Sequence, residues 1–105
     1  MILTDSYPET LWERRDRLNI MAEIMDVAKG GKLKTQIMYK VNLSFSQVKE
    51  YLSFLTERGF LRVYVKNRKK FYETTAKGNI YIENYMEMSD LLRSYEPVEA
   101  QMLVR

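Results

Sequence analysis

The segment from Ser44 to Gly59 spells out a helix with both of its ends. Ser44 and Gln47 stand three residues apart, the spacing of a capping box in which each side chain bonds the other residue's backbone N–H. Phe45, Val48, Leu52 and Leu55 then recur at three, four and three, with Tyr51 beside them, so that one face is apolar. Gly59 ends the run, because glycine accepts the left-handed backbone that closes a last turn. Just upstream, Thr35 to Lys40 carries Ile37 and Met38 as a shorter helical segment, which Asn42-Leu43-Ser44 breaks. Two short helices across so short a break form a helix-turn-helix unit.

The surrounding segments extend that unit. From about Glu13 to Lys29, Leu18, Met21, Ile24, Met25 and Ala28 make one helical face, widened by Ile20 and Val27 and ended by Gly30-Gly31. After Gly59 the character changes. Phe60 to Val65 and Phe71 to Thr74 are rich in β-branched and aromatic residues, and Lys66 to Lys70 between them is polar, with Asn67 suited to a turn. This pattern predicts a β-hairpin, the wing of a winged helix. Thr75 can cap a last helix from roughly Ala76 to Glu96, ahead of Pro97, with Gly78 weakening its first turn. The expected class is mainly α with a small β-hairpin (α+β), a winged helix-turn-helix with a long C-terminal helix. The expected divisions are an N-terminal arm at 1–12 anchored by Leu11 and Trp12, a winged domain at 13–75, a dimerisation helix at 76–96 and a tail at 97–105.

Composition removes most catalytic chemistry. The 105 residues contain no Cys and no His, which excludes thiol nucleophiles, disulfides, zinc ribbons and the usual neutral-pH proton shuttle. Asp16, Glu23, Asp26, Glu83, Glu87 and Asp90 fall at the spacings of solvated helix surfaces. No Gly-rich phosphate loop is present, since Gly30-Gly31 lacks the required spacing. A non-enzyme without metal or cofactor is expected. No apolar run approaches the roughly 18 residues of a membrane span, and the acidic start at Met1 to Asp5 is unlike a signal peptide, so the cytoplasm, at the nucleoid, is the expected location.

The net charge of +3 conceals a division. Residues 29–77 hold twelve bases and three acids (Glu50, Glu57 and Glu73), a net +9, whereas the flanks carry −6. A basic centre suggests a polyanion partner. On the capped helix, Ser46, Gln47, Lys49, Glu50 and Ser53 lie where a recognition helix meets base edges, and the capping Ser44 is expected among the DNA-binding residues. Lys66, Arg68, Lys69 and Lys70 place four cations in five residues, a repulsion that phosphates would relieve. Lys32, Lys34, Thr35 and Lys40 can add backbone contacts. In the last helix Tyr81, Tyr85, Met88, Leu92 and Tyr95 keep a coiled-coil period, with Ile80, Ile82, Met86 and Leu91 as a second apolar edge, which predicts a homodimer. The expected partners are double-stranded DNA and a second copy of the chain, with no membrane. The alternatives are a winged-helix module that binds protein, which Glu50 and Glu57 on the exposed face favour, and a non-specific chromatin-type DNA-binding protein.

Gly31 to Lys40, Asn42 to Gln47, Leu55-Thr56-Glu57-Arg58-Gly59-Phe60-Leu61 and Phe71 to Gly78 together resemble the archaeal winged-helix DNA-binding family. That family includes the small crenarchaeal ten-kilodalton chromatin proteins and related predicted archaeal transcription regulators. The similarity covers about residues 18–95, with Leu33 standing where the family often has a small polar residue. The resemblance implies a winged helix whose long C-terminal helices pair as an antiparallel coiled coil. It also implies DNA binding through the helix beginning near Ser44 and through the wing at Lys66 to Lys70.

Overall fold

A computed structural model describes residues 16–94 as four helices and a three-stranded sheet. In chain order these are α1 (Arg17–Val27), β1 (Lys32–Leu33), α2 (Lys34–Val41), α3 (Phe45–Glu57), β2 (Leu61–Lys66), β3 (Lys69–Thr74) and α4 (Ala76–Arg93). The arm at 1–12 with Leu11 and Trp12, the start of the first helix at Glu13, the residue Tyr95 and the tail at 97–105 lie outside the described residues.

Each helix starts at a polar cap or its substitute. Asp16 accepts a hydrogen bond from the Asn19 N–H at 2.9 Å and caps α1. Ser44 and Gln47 form the expected capping box of α3: the Ser44 hydroxyl accepts from the Gln47 N–H at 3.2 Å, and the Gln47 side-chain oxygen accepts from the Ser44 N–H at 2.9 Å. At α2 Leu33 has no acceptor to offer, yet Gln36 still reaches back to the Leu33 N–H at 2.9 Å. Asn42, in the left-handed region at φ 61°, closes α2.

The core is built where the helical faces converge. Ile24, Met25 and Ala28 of α1 and its end meet Ile37 and Val41 of α2, Val48, Leu52 and Leu55 of α3, Leu61 of β2 and Ile82 of α4. Fully burying a side chain such as Ile24 or Leu55 stabilises the fold by about 1.5–3 kcal/mol. Two expected core residues are not in it. Leu18 is 48% exposed and Phe45 is 59% exposed, because each sits in the first turn of its helix, beyond the end of the converging faces. Ala22, outside the expected stripe, is buried instead.

The sheet has the order β1-β3-β2, antiparallel throughout. β1 was not expected: its two residues become a strand only by pairing Lys32 with Tyr72 and Leu33 with Phe71. The hairpin turn is shorter than the five residues read from the sequence. Asn67 and Arg68 alone turn the chain, both left-handed at φ 53° and 65°, while Lys66, Lys69 and Lys70 belong to the strands.

A seam of threonines joins the wing to α4. Thr74 donates from its hydroxyl to the Met25 carbonyl at 2.5 Å and from its N–H to the Ala28 carbonyl at 3.2 Å. The Thr75 hydroxyl donates to the Gly59 carbonyl at 2.6 Å and accepts from the Gly78 N–H at 3.2 Å, capping α4 as expected. Gly78 is required here rather than merely tolerated: a Cβ would stand 2.5 Å from the Phe60 carbonyl oxygen and 2.6 Å from the Thr74 methyl. α4 stops at Arg93, with Ser94 extended, three residues short of the expected Glu96.

Candidate nucleic-acid interface

The side of α3 left free by the core faces a groove. Its opposite wall is the wing, and its volume is about 280 Å³. Lys34 from the start of α2, Lys49 and Ser53 from α3 and Lys70 from β3 line it, over a floor that includes Leu52, Val63 and Tyr72. Three lysines from three elements therefore converge on one concavity. Glu57 stands at the groove too, with Arg58 beside it at 3.8 Å. An exposed pair of this kind is worth about 0–1 kcal/mol.

Strand alternation divides the wing cations, which the sequence treats as one cluster. Val63, Tyr72 and Lys70 are on the groove side, so Lys66, three residues from Val63, and Lys69, one from Lys70, point to the other face. Arg68 is at the tip. The far face also carries the stacked Tyr64 and Phe71 rings, 5.4 Å apart, and Arg62, which is ion-paired with Glu73 and lies 4.8 Å from the Tyr64 ring centroid. Glu73 thus neutralises a base away from the groove.

On α3 itself Ser46, Gln47, Lys49, Glu50 and Ser53 are all exposed. Ser46 Oγ is 3.4 Å from Ser44 Oγ, and both belong to the cap region. Gln47 has its side-chain oxygen committed to the capping box, leaving the NH2 group to face outward. Thr35 and Lys40 are exposed on α2. Two aromatic residues that the sequence does not single out as surface features are exposed nearby: Tyr39, at 79%, and Phe45, whose ring has the Lys34 ammonium 4.3 Å from its centroid. The signal for Phe45 is its place as the first helical residue, ahead of the buried Val48.

The expected dimer residues divide between two environments. Tyr81 and Tyr85 stack at 6.3 Å and dock on α1: the Tyr81 hydroxyl donates to the Leu18 carbonyl at 2.7 Å, and the Tyr85 oxygen accepts from the Asn19 side-chain NH2 at 3.1 Å. Burial, with lesser contributions from Tyr85 and Asp16, pushes the Tyr81 phenol up to about 12, so it remains a neutral donor. Met88 and Leu92 are exposed at 48% and 57%.

A model of the winged helix-turn-helix matches residues 14–93. The chain belongs to the winged helix-turn-helix family. It is 32% identical over 82 residues to the uncharacterized protein MJ0287 of Methanocaldococcus jannaschii, spanning 77% of this chain and 80% of that one. Among solved structures it is similar to Sso10a-2, a DNA-binding protein from Sulfolobus solfataricus, with a TM-score of 0.66 and 26% identity over 87% of this chain and 98% of that one. It also shares its fold with MepR, a transcription regulator from Staphylococcus aureus, with a TM-score of 0.63 and 17% identity over 81% and 70% of the two chains. The winged-helix class and the archaeal resemblance expected from the sequence both hold. No helix among the described residues is long and apolar enough to cross a membrane.

Proposed function

We propose that this protein binds double-stranded DNA as a homodimeric transcriptional regulator acting at the nucleoid, through binding rather than catalysis. The observation that carries the reading is the convergence of Lys34, Lys49 and Lys70 on the groove between α3 and the wing. α3 enters the major groove, where Lys49, Ser46 and Ser53 meet base edges and the free NH2 of Gln47 can donate. Lys34, Thr35, Lys40 and the Ser44 end of α3 contact the phosphate backbone, and Lys66, Arg68, Lys69 and Lys70 of the wing bind phosphates or the adjacent minor groove. The similarity to the DNA-binding protein Sso10a-2 supports this reading. The exposed Met88 and Leu92 toward the far end of α4 support pairing of two copies. A two-fold dimer would present two recognition helices to paired half-sites.

Affinity for duplex DNA measured across salt concentrations tests the groove. Each lost phosphate contact reduces the slope of log K against log salt by about 0.9. Changing Lys34, Lys49 and Lys70 together to Ala is expected to weaken binding and, through the phosphate contacts of Lys34 and Lys70, to flatten that slope by about 1.8. Unchanged affinity and slope would exclude the groove as the interface. Mapping of bound sites across a genome then separates a regulator, with a few sharp peaks, from a chromatin-type protein with broad coverage.

A further inference from the structure

Phe45 is a large apolar side chain held at the surface among cations. It is 59% exposed and outside the hydrophobic core. The Lys34 ammonium lies 4.3 Å from its ring centroid, and Lys49 follows one helical turn along the same side of α3. Lys34 and Lys49 both line the groove, so Phe45 is linked to it through Lys34, and it holds the first position of the helix that the DNA-binding reading sets against bases. Water solvates that ring poorly, and neither lysine head covers it with apolar surface. On the major-groove edges of DNA the apolar group is the 5-methyl of thymine. We infer that Phe45 is a specificity-determining residue that reads thymine through contact of its ring with that methyl group, while Lys34, stacked on the ring, fixes its orientation and carries charge to the neighbouring phosphate.

The inference rests on the DNA-binding reading, and the experiment separates the two. The probes are three duplexes of equal length: alternating A·T, alternating A·U, which lacks only the methyl groups, and alternating G·C. The parent is expected to bind the A·T duplex about three- to tenfold more tightly than the A·U duplex, in line with burial of a methyl or two per site. Phe45→Ala is expected to bind the two equally, and Phe45→Leu, which keeps an apolar contact, to retain part of the preference. Lys69→Ala is expected to weaken binding to all three duplexes while leaving the A·T to A·U ratio unchanged. A parent that binds A·T and A·U equally, or a Phe45→Ala variant that keeps the parent's ratio, would overturn the thymine assignment and leave DNA binding intact. A parent that binds none of the three would overturn the DNA-binding reading itself. Thermal unfolding of Phe45→Ala close to that of the parent, expected for so exposed a side chain, shows that a lost preference is a lost contact.

Discussion

The two ends of α4 carry similar side chains and meet opposite fates. At its start, Thr75 closes the cap, Gly78 lies against the Phe60 carbonyl, Ile82 enters the core, and Tyr81 and Tyr85 bond to α1. Farther along, Met88 is 48%, Leu91 76% and Leu92 57% exposed, and the 100° step places them with Ile80 on one side of the helix. α1 is only 11 residues long, so it cannot shelter the whole of an 18-residue partner. One helix therefore serves first as part of a monomer's core and then as surplus apolar surface. That surplus apolar surface supports the pairing of two copies proposed above.

Substitutions along α4 can break that contrast, beginning at the closed end. Gly78→Ala is expected to destabilise the fold by about 3 kcal/mol, since the added methyl meets a backbone carbonyl that cannot yield. Urea unfolding measures it, and a loss under 1 kcal/mol would mean the seam is looser than it looks. Thr75→Ala removes both the cap and the tie to Gly59 and is expected to cost about 1.5 kcal/mol in the same assay.

Tyr81→Phe deletes the hydrogen bond to the Leu18 carbonyl, at about 1 kcal/mol. It also changes the alkaline limb. The phenol is raised in the fold from its usual 10 to about 12, so its contribution is fully present below pH 10 and is lost as pH rises through 12. The parent should lose stability across that window more steeply than the Phe variant, and parallel pH profiles would refute the buried-donor role.

At the open end, Met88→Ser with Leu91→Ser is expected to change the stability of the chain's own fold by no more than about 0.5 kcal/mol, measured at high dilution. The same variant should show half the parent's mass in light scattering. A parent that is monomeric at all concentrations would remove the dimer from the proposal.

What the sequence displayed were features written within four residues of each other. The Ser44–Gln47 box, the stop at Gly59 and the bond from the Gly78 N–H to the Thr75 hydroxyl are local hydrogen-bond patterns and need no tertiary partner. Positions that depend on where a packed face ends were not legible. Leu18 and Phe45 keep the helical period yet project past the core, since periodicity gives a direction and not a length. β1 exists only through residues some forty positions away. Nothing in Arg68 as a residue type signals its left-handed backbone, so the sequence suggests a longer turn and hides the alternation that separates Lys70 from Lys66 and Lys69. The basic cluster was visible as composition, whereas its division between two sheet faces follows from register.

The wing tip has a consequence of its own. Lys66 and Lys69 sit directly across from each other, an arrangement that is unfavourable for like charges, beside an Arg68 at φ 65°. These residues are exposed, and the hydrophobic core lies elsewhere. Changes of charge there leave the core untouched, and replacing one of the facing lysines relieves their repulsion, so the tip works as a dial. Under the DNA-binding reading proposed above, adding or removing a positive charge at Lys66, Arg68 or Lys69 is expected to reset the salt concentration at which a polyanion is released.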